Sequence, residues 1–501
     1  MAQSGSTIKN AGIYALGLVL SKLVGLVMLP IYTRYLSPAD YARIELLLLT
    51  TELTALVIGF GIRQSITRFY YRYTETDDRR TFLSTAIILS IGLYTTASII
   101  GFFNADRLSV LIFEGLPKET FSFKLVFLLF FLEPLKIIPL VLIRAQQRAK
   151  LFVMVSLAEL LLQVGLNVYF IIFAGQGYVG ILYSSIISIS LISLFLTTYY
   201  FRFSRFRFSS SMAREVLKYG APIVMLNLGN FVLTFSDRYF LKAYAGLTEV
   251  GIYSLGYKLA FIYSTLSYLP LFSSWNPKRY ELADDPTFPE TNKTVFTNAS
   301  LLFIFFALGI SVFSRDFFRI IAAPEFHPAY KVVPIILLAY VIQGWTSLTD
   351  FGIHYTGKTK CLALVGVVSS AAIVALSFGL IPTLLGYGAA MATVVAFLVR
   401  FFMTYHYAQK YLHLPYEWGK VMTMLGLAVV VYGLSWLVTL ENVVLSVAYN
   451  SLLCTAYLGL IWYSPIYGKE DKEALIKTVR RQLQRFRRQQ PEPPDHQDLK
   501  Q

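Results

Sequence analysis

The sequence contains few of the residues that build catalytic and metal sites. Among 501 residues there are five histidines and only two cysteines, Cys361 and Cys454, both of which lie inside apolar segments. This composition offers neither a disulfide framework nor a ligand spacing for a metal site. No glycine-rich loop follows a strand pattern, which argues against ATP hydrolysis. We therefore predict a protein that is not an enzyme, with no catalytic residue, no metal and no cofactor.

Charged residues are scarce as well. They make up 15% of the chain, against 56% hydrophobic residues, and the mean hydropathy is +0.57. This balance is typical of a polytopic membrane protein. Because the apolar segments are about 20 residues long and lack the alternation of a barrel, we predict that they are transmembrane helices. Fourteen such segments are present: residues 10–30, 44–61, 81–103, 121–142, 151–174, 180–201, 219–243, 251–272, 294–313, 332–351, 361–382, 388–408, 421–440 and 443–463.

The positive charge is distributed unevenly between the connections. Those on one side of the membrane, together with the two termini, contain 29 lysines and arginines, whereas those on the other side contain seven. Connections rich in lysine and arginine stay in the cytoplasm. We therefore expect a multi-pass protein of the plasma (inner) membrane with both termini cytoplasmic. The net charge of +15 follows from this asymmetry and does not require a nucleic-acid partner.

The chain repeats itself weakly at an offset of 209 residues. GYVG at 177–180 corresponds to GYGA at 386–389, and YLSPAD at 35–40 corresponds to YAGLTE at 244–249. Since each repeat contains six segments, the two halves run in the same direction and are related by an axis along the membrane normal. We predict an all-α polytopic fold with about 14 transmembrane helices. Two six-helix lobes are related by this pseudo-two-fold axis, and two additional helices follow them.

The predicted divisions are an N-terminal lobe at 1–203, a C-terminal lobe at 204–415, two additional helices at 416–466 and a cytoplasmic tail at 467–501. In the tail, Leu475, Val479, Leu483 and Phe486 fall on one helical face among basic residues. This pattern is typical of an amphipathic helix on an anionic membrane surface. The end of the tail has the composition of a disordered segment.

Four stretches of the chain resemble a known transporter family. They are LPIYTRYLSPADY (29–41), SDRYFLKAYAGLTEVGIYSLGYKLA (236–260), GKTK (357–360) and GYGAAMAT (386–393). These stretches are similar to the polysaccharide-transporter branch of the multidrug/oligosaccharidyl-lipid/polysaccharide exporter superfamily, the oligosaccharide flippases. The chain departs from the family pattern after the first turn, where Ala42 and Arg43 stand in place of a common glycine.

The resemblance implies a V-shaped, two-lobed bundle that alternates between inward-open and outward-open states. It also implies translocation of a polyprenyl-pyrophosphate-linked oligosaccharide from the cytoplasmic to the outer leaflet, for cell-surface polysaccharide biosynthesis. The expected partners are this oligosaccharide, membrane lipids, a coupling ion (proton or sodium) and glycan polymerase machinery. Because a pyrophosphate needs cations to pass the low-dielectric midplane, intramembrane lysines and arginines are candidate ligands.

One lysine stands in the middle of the first apolar segment. Such a lysine costs roughly 2.5–3.5 kcal/mol on insertion scales, so we expect Lys22 to face protein or water. In a structural role, the Lys22 side chain reaches the lipid headgroups or pairs with an acidic residue. In a functional role, it binds the substrate inside a transport cavity. Glu45 and Glu52 share one face of the second segment and are candidate partners of Lys22. Glu52, the deeper of the two, is also a candidate protonatable switch for ion coupling.

A second group of charges lies in the seventh and eighth segments. Arg238 and Lys242 are four residues apart and share a helical face, and Lys258 lies deep in the next segment. All three are candidate substrate-binding residues. Asp237 either forms a structural pair with a neighbouring cation or takes part in ion coupling. Arg34, at the outer end of the first segment, is a candidate substrate ligand and equally a candidate interfacial anchor.

The fourth segment contains a charged pair of its own. Glu133 and Lys136 stand three residues apart around Pro134, and this spacing predicts a local ion pair at a kink. No pattern in the sequence accounts for Glu159 in the fifth segment or for Asp350 at the end of the tenth.

Two alternative functions remain open. A cation-coupled multidrug or organic-cation antiporter of the same superfamily needs an acid in the N-terminal cavity. The first segment contains Lys22 and no acid, although Glu52 in the second could serve. A membrane glycan polymerase or ligase needs catalytic residues on a large external loop, and the longest external connections here are short.

Overall fold

The computed structural model describes residue 25, residues 27–438, residues 440–466 and residue 468. Lys22, most of the first apolar segment and the basic tail lie outside this range, so the expectations about them remain predictions. The described residues form α-helices joined by short turns, because a helix satisfies its backbone hydrogen bonds internally where no water is present. The helices are α1 Leu29–Tyr35, α2 Pro38–Ile58, α3 Ile62–Arg72, α4 Thr76–Phe103, α5 Ala105–Ile112, α6 Pro117–Ala145, α7 Ala149–Val168, α8 Gly177–Phe201, α9 Ser210–Glu281, α10 Phe288–Ile321, α11 Val333–Thr349, α12 Phe351–Tyr355, α13 Lys360–Tyr411, α14 Trp418–Leu437 and α15 Val443–Tyr463.

Helix lengths agree with the expected transmembrane segments. Among the described residues, ten helices are long and apolar enough to cross a membrane, and the bent pair of α2 and α3 adds an eleventh. The two longest helices, α9 and α13, each contain two expected segments. Gly246 (φ 82°) interrupts α9 and Leu385 (φ 50°) interrupts α13. Each expected segment from the second to the fourteenth therefore lies for most of its length on a described helix.

The two interruptions follow the repeat in the sequence. Gly246 stands 209 positions after Ser37, the N-cap residue of α2. Leu385 likewise stands 209 positions after Gln176, the residue before α8. Corresponding turns thus occur at corresponding positions of the two halves. The exact boundaries of the four predicted divisions remain predictions.

A bend separates α2 from α3. The two helices form an angle of 43° across Gly59–Gly61. Gly61 has a φ of 61°, a left-handed conformation that glycine adopts without steric cost. The bend turns the first residues of α3 toward the space between the lobes, where Arg63 lines a cavity.

The lobes approach each other most closely through glycine. Toward the basic end of the bundle, just before α3 begins, a Cβ atom on Gly220 of α9 would lie 1.6 Å from the carbonyl oxygen of Phe60. At the opposite end, a Cβ on Gly251 would lie 2.0 Å from the carbonyl oxygen of Pro38. No side chain fits at either position. The two lobes are therefore in backbone contact on both sides of the space between them.

Polar side chains support the contact at the basic end. Glu215 of α9 forms an ion pair with Arg72 and accepts a hydrogen bond from the hydroxyl of Tyr73 at 3.0 Å. The guanidinium of Arg68 lies over the ring of Tyr219, 4.5 Å from its centroid, in a cation–π contact. The end of α3 thus joins the N-terminal lobe to the start of α9.

We predict that Gly220→Ala destabilises the protein. The added methyl group overlaps the carbonyl of Phe60, and overpacking of this kind costs about 1–3 kcal/mol. The melting temperature of the purified protein in detergent should fall. Gly379→Ala is the matched control, because a Cβ at this helical position of α13 meets no atom within 4 Å. Equal melting temperatures for the two variants would contradict the close packing of the lobes at Gly220.

Candidate functional site

A polar cavity of about 290 Å³ lies between the two lobes. Glu52 of α2 and Arg63 of α3 line it from the N-terminal lobe, and both side chains are exposed. Asn227 and Asn230 of α9 line it from the C-terminal lobe. Ionisable and amide groups are expensive inside a membrane and mark the route of a polar substrate or an ion. This inter-lobe cavity is the candidate functional site.

Local features of three helices build the cavity. The bend before α3 brings Arg63 to its wall, beside Gly59 and Gly61. In α6, Pro134 lies at the wall and removes a backbone hydrogen bond from the helix. In α9, Asn227 and Asn230 are three residues apart, so both lie on the helix face that lines the cavity.

A second arginine reaches this site from α13. The Arg400 guanidinium donates a hydrogen bond to the side-chain oxygen of Asn230 at 3.1 Å. Its hydrogen-bond partner is a neutral amide, and the carboxylate of Asp350 acts on the guanidinium electrostatically from a longer distance. Together with Arg63, the arrangement places one cation from each lobe beside the cavity.

Neither arginine is among the site residues that the sequence predicts. Arg63 follows the second apolar segment in the sequence, and the structure places it at the start of a helix that faces the cavity. Arg400 lies in the middle of the twelfth apolar segment, and that depth was the signal that could have identified it. The pair Asn227 and Asn230 in the seventh segment was a weaker signal of the same kind.

Glu52 is the predicted residue that the structure places directly at the cavity. It is exposed on the same wall as Arg63. Its role in ion coupling, and its pairing with Lys22, remain predictions.

Asp237 and Arg238 form a buried ion pair next to the cavity. The Arg238 guanidinium donates a hydrogen bond to the Asp237 carboxylate at 2.8 Å. The side chain of Arg238 is 2% exposed and that of Asp237 is 0% exposed. Tyr253 donates its hydroxyl hydrogen to the other carboxylate oxygen at 2.6 Å. The ring of Tyr257 lies 4.0 Å from the guanidinium carbon. Every face of this pair is thus in contact with protein groups.

The ion pair is linked to the cavity wall through the backbone. Arg238 also donates to the carbonyl oxygen of Thr234 at 2.8 Å, and Thr234 lines the cavity. Arg238 therefore supports the wall from behind while its own surface is covered. A direct contact with substrate remains a prediction and would require this cluster to open.

Two of the other predicted cations contact the N-terminal lobe. The Lys258 ammonium donates to the hydroxyl of Tyr41 at 2.8 Å, and Lys242 approaches the carbonyl oxygen of Phe113 at 3.5 Å. Both partners belong to the N-terminal lobe. Arg34 is exposed in the last turn of α1. The substrate-binding roles of all three cations remain predictions.

The prediction that Glu133 and Lys136 form a local ion pair is wrong. Lys136 instead forms an ion pair with Glu159 of α7, at 2.7 Å. Because α6 and α7 pack side by side, Lys136 contacts a carboxylate on the neighbouring helix. Spacing along a single helix does not reveal this contact. Packing also accounts for Asp350, which pairs with Arg279 of α9 at 3.2 Å.

The family can be assigned from the sequence. A family model described as "Polysaccharide biosynthesis protein" matches residues 7–277, which is more than half of the chain. The chain belongs to this family. The matched range includes the cavity residues Glu52, Arg63, Asn227 and Asn230, and it excludes Arg400.

A curated relative agrees with membership of the polysaccharide biosynthesis family. It is the "Probable low-salt glycan biosynthesis flippase Agl15" of Haloferax volcanii, which is 22% identical over 270 residues. These residues make up 51% of this chain and 54% of the relative, so the chain spans about half of the relative's length.

Two solved structures have the same fold as this member of the family. The lipid II flippase MurJ, in an inward closed conformation, aligns with a TM-score of 0.71 and 14% identity, over 90% of this chain and 98% of that chain. A multidrug resistance MATE family transporter of the MOP superfamily, in an inward-facing conformation, aligns with a TM-score of 0.65 and 15% identity, over 80% and 98%. The predicted two-lobed helical membrane fold is confirmed. The family model confirms the predicted polysaccharide-transporter family.

We predict that Asp237→Asn destabilises this family member strongly. The substitution leaves the guanidinium of Arg238 buried without a counter-charge, which typically costs about 3–5 kcal/mol. The loss is measured as a lower unfolding midpoint of the purified protein in detergent. Glu281→Gln is the control, because it removes an exposed ion pair with Lys278 and should leave the midpoint unchanged. A stable Asp237→Asn protein would argue that the pair is not structural.

Proposed function

We propose that the protein is a flippase for a polyprenyl-pyrophosphate-linked oligosaccharide. It moves this substrate from the cytoplasmic to the outer leaflet of the plasma membrane by alternating access, for cell-surface polysaccharide biosynthesis. Membership of the polysaccharide biosynthesis family and the printed function of the relative from Haloferax volcanii support the class of cargo. No catalytic role is part of this proposal.

The inter-lobe cavity is the observation that carries the proposal. Arg63 from one lobe and Arg400 from the other flank it, and Asn227 and Asn230 add amide groups. Arginine presents several donors in a planar arrangement that fits phosphate oxygens, and its charge offsets that of a pyrophosphate in a low-dielectric region. Amides suit the hydroxyl groups of sugars because they donate and accept hydrogen bonds.

The volume of the cavity supports movement of the lobes. About 290 Å³ is at the lower limit for pockets that hold drug-sized ligands, and an oligosaccharide with a pyrophosphate is larger. The substrate therefore requires separation of the lobes at one end. The contacts at Gly220 and Gly251 join the lobes through backbone atoms at opposite ends, so each is a candidate position for such an opening.

The orientation of the chain is the remaining part of the proposal. The positive charge of the connections supports cytoplasmic termini, and the basic end of the bundle would then face the cytoplasm. In that orientation the pyrophosphate enters past Arg68 and Arg72. Transport would deliver the lipid-linked oligosaccharide to the outer leaflet, where a partner glycan polymerase would use it.

An organic-cation antiporter is the second candidate, and one observation favours it. Glu52 is exposed in the cavity and could attract a cation. Because two arginines flank the same cavity, we favour an anionic substrate, with Glu52 serving ion coupling.

We predict that Arg63→Gln and Arg400→Gln each reduce lipid transfer about tenfold or more. A hydrogen bond to a charged group contributes about 1.5–3 kcal/mol, so loss of one phosphate contact slows transfer by this factor. The full chain is reconstituted in liposomes with a polyprenyl-pyrophosphate oligosaccharide on one leaflet, and its appearance on the other leaflet is followed. Lys22→Ala tests the predicted cation of the first segment in the same assay.

Arg205→Gln is the control for these variants. Arg205 forms an exposed ion pair with Asp77 at 3.1 Å and does not line the cavity, so transfer should be unchanged. Wild-type rates of lipid transfer by the Arg63 and Arg400 variants would contradict the proposal that these arginines bind the substrate. A wild type that exports organic cations and transfers no lipid-linked glycan would establish the antiporter instead.

A further inference from the structure

Glu133 of α6 is half-buried, and one of its two carboxylate oxygens is enclosed in an unusual way. Its Oε2 atom has no accessible surface and no hydrogen-bond partner. Among the described residues, Asp316 has the other carboxylate oxygen of this kind, but the second oxygen of Asp316 accepts hydrogen bonds from Ser446 and Asn450 at 2.8 and 3.0 Å. Glu133 directly precedes Pro134, which lines the inter-lobe cavity. The carboxyl group therefore lies just behind the cavity wall.

The charged groups around Glu133 do not neutralise it by contact. Lys136, on the same helix, is paired with Glu159 of α7. Arg63 of α3 and Glu52 of α2 lie near enough to act electrostatically, but from the cavity side. Helix α4 faces this region with the neutral phenol of Tyr94, which also lines the cavity. Helix α8 contains no charged residue, and α9 contributes the amides of Asn227 and Asn230.

An ionised carboxylate is unfavourable in this environment. A buried charge without a donor or counter-ion in contact becomes neutral instead, because the low-dielectric surroundings cannot replace the water it has lost. A proton fits on an oxygen that has no accessible surface. A sodium ion would need several further oxygen ligands around the same atom, whereas Oε2 has no hydrogen-bonding group in contact with it.

We propose that Glu133 binds a proton in this arrangement of the lobes and releases it when the lobes separate. Water entering the opened cavity hydrates the wall, the O–H bond of the carboxyl group breaks, and the proton passes to that water. The electron pair stays on Oε2, and the resulting carboxylate faces the guanidinium of Arg63 across the opened cavity. Glu133 is thereby a proton site coupled to opening. The coupling to transport, but not the protonation itself, rests on the proposed function.

Infrared spectroscopy of the reconstituted full chain tests the protonation without any cargo. The wild type should show the carbonyl stretch of a protonated carboxyl group at neutral pH, and Glu133→Gln should lose that band. Glu133→Asp should retain a shifted band, and Glu281→Gln, which alters an exposed carboxylate, should leave it unchanged. Because glutamine is neutral and of the same shape, Glu133→Gln should keep the wild-type melting temperature. A band that persists in Glu133→Gln would overturn the proposal.

Transport in the same liposomes tests the coupling. Lipid transfer by the wild type should change with pH, and Glu133→Gln should lose this dependence while Glu281→Gln keeps it. An unchanged pH profile in Glu133→Gln would overturn the coupling even if the infrared band is lost. A wild type that transfers no lipid-linked glycan would contradict the proposed function alone, because the infrared measurement uses no substrate.

Discussion

The low dielectric of the membrane interior is the constraint on which this structure depends. Each charge placed among the transmembrane helices must meet a partner, face water or become neutral. Asp237 and Arg238 meet each other inside a shell of tyrosines, and Lys136 meets Glu159 on the neighbouring helix. The charges of Glu52 and Arg63 face the inter-lobe cavity, and they mark the part of the molecule that is open to a polar ligand.

The contact between the lobes is built for close approach at two opposite ends. Glycine at positions 220 and 251 lets the backbone of one lobe touch the backbone of the other. Long polar side chains, such as Lys258 with Tyr41 and Arg72 with Glu215, lie beside these contacts. Hydrogen bonds between polar groups that also interact well with water are inexpensive to exchange, because their net contribution to stability is small. Such an interface can close firmly and still separate.

The cavity and the two ends of the interface together fit the proposed transport. The cavity combines cations from both lobes with amides and one exposed glutamate, and a buried carboxyl group lies behind its wall. Cations suit a phosphate, amides suit sugars, and carboxyl groups suit the exchange of protons. Because these groups come from helices of both lobes, movement of the lobes changes their surroundings.

The sequence by itself determined the class of fold. Long apolar segments leave only transmembrane helices, the bias of lysine and arginine indicates an orientation, and the repeat at 209 residues indicates two lobes, because each of these signals is written along the chain. The tertiary structure alone decided which charges meet. Spacing along one helix predicted Glu133 with Lys136, whereas helix packing paired Lys136 with Glu159 and left Glu133 without a donor on Oε2. Likewise, Arg63 and Arg400 stand far apart in sequence. They lie beside one cavity only because α3 bends and the two lobes close on each other. Local periodicity does not encode such distances between helices.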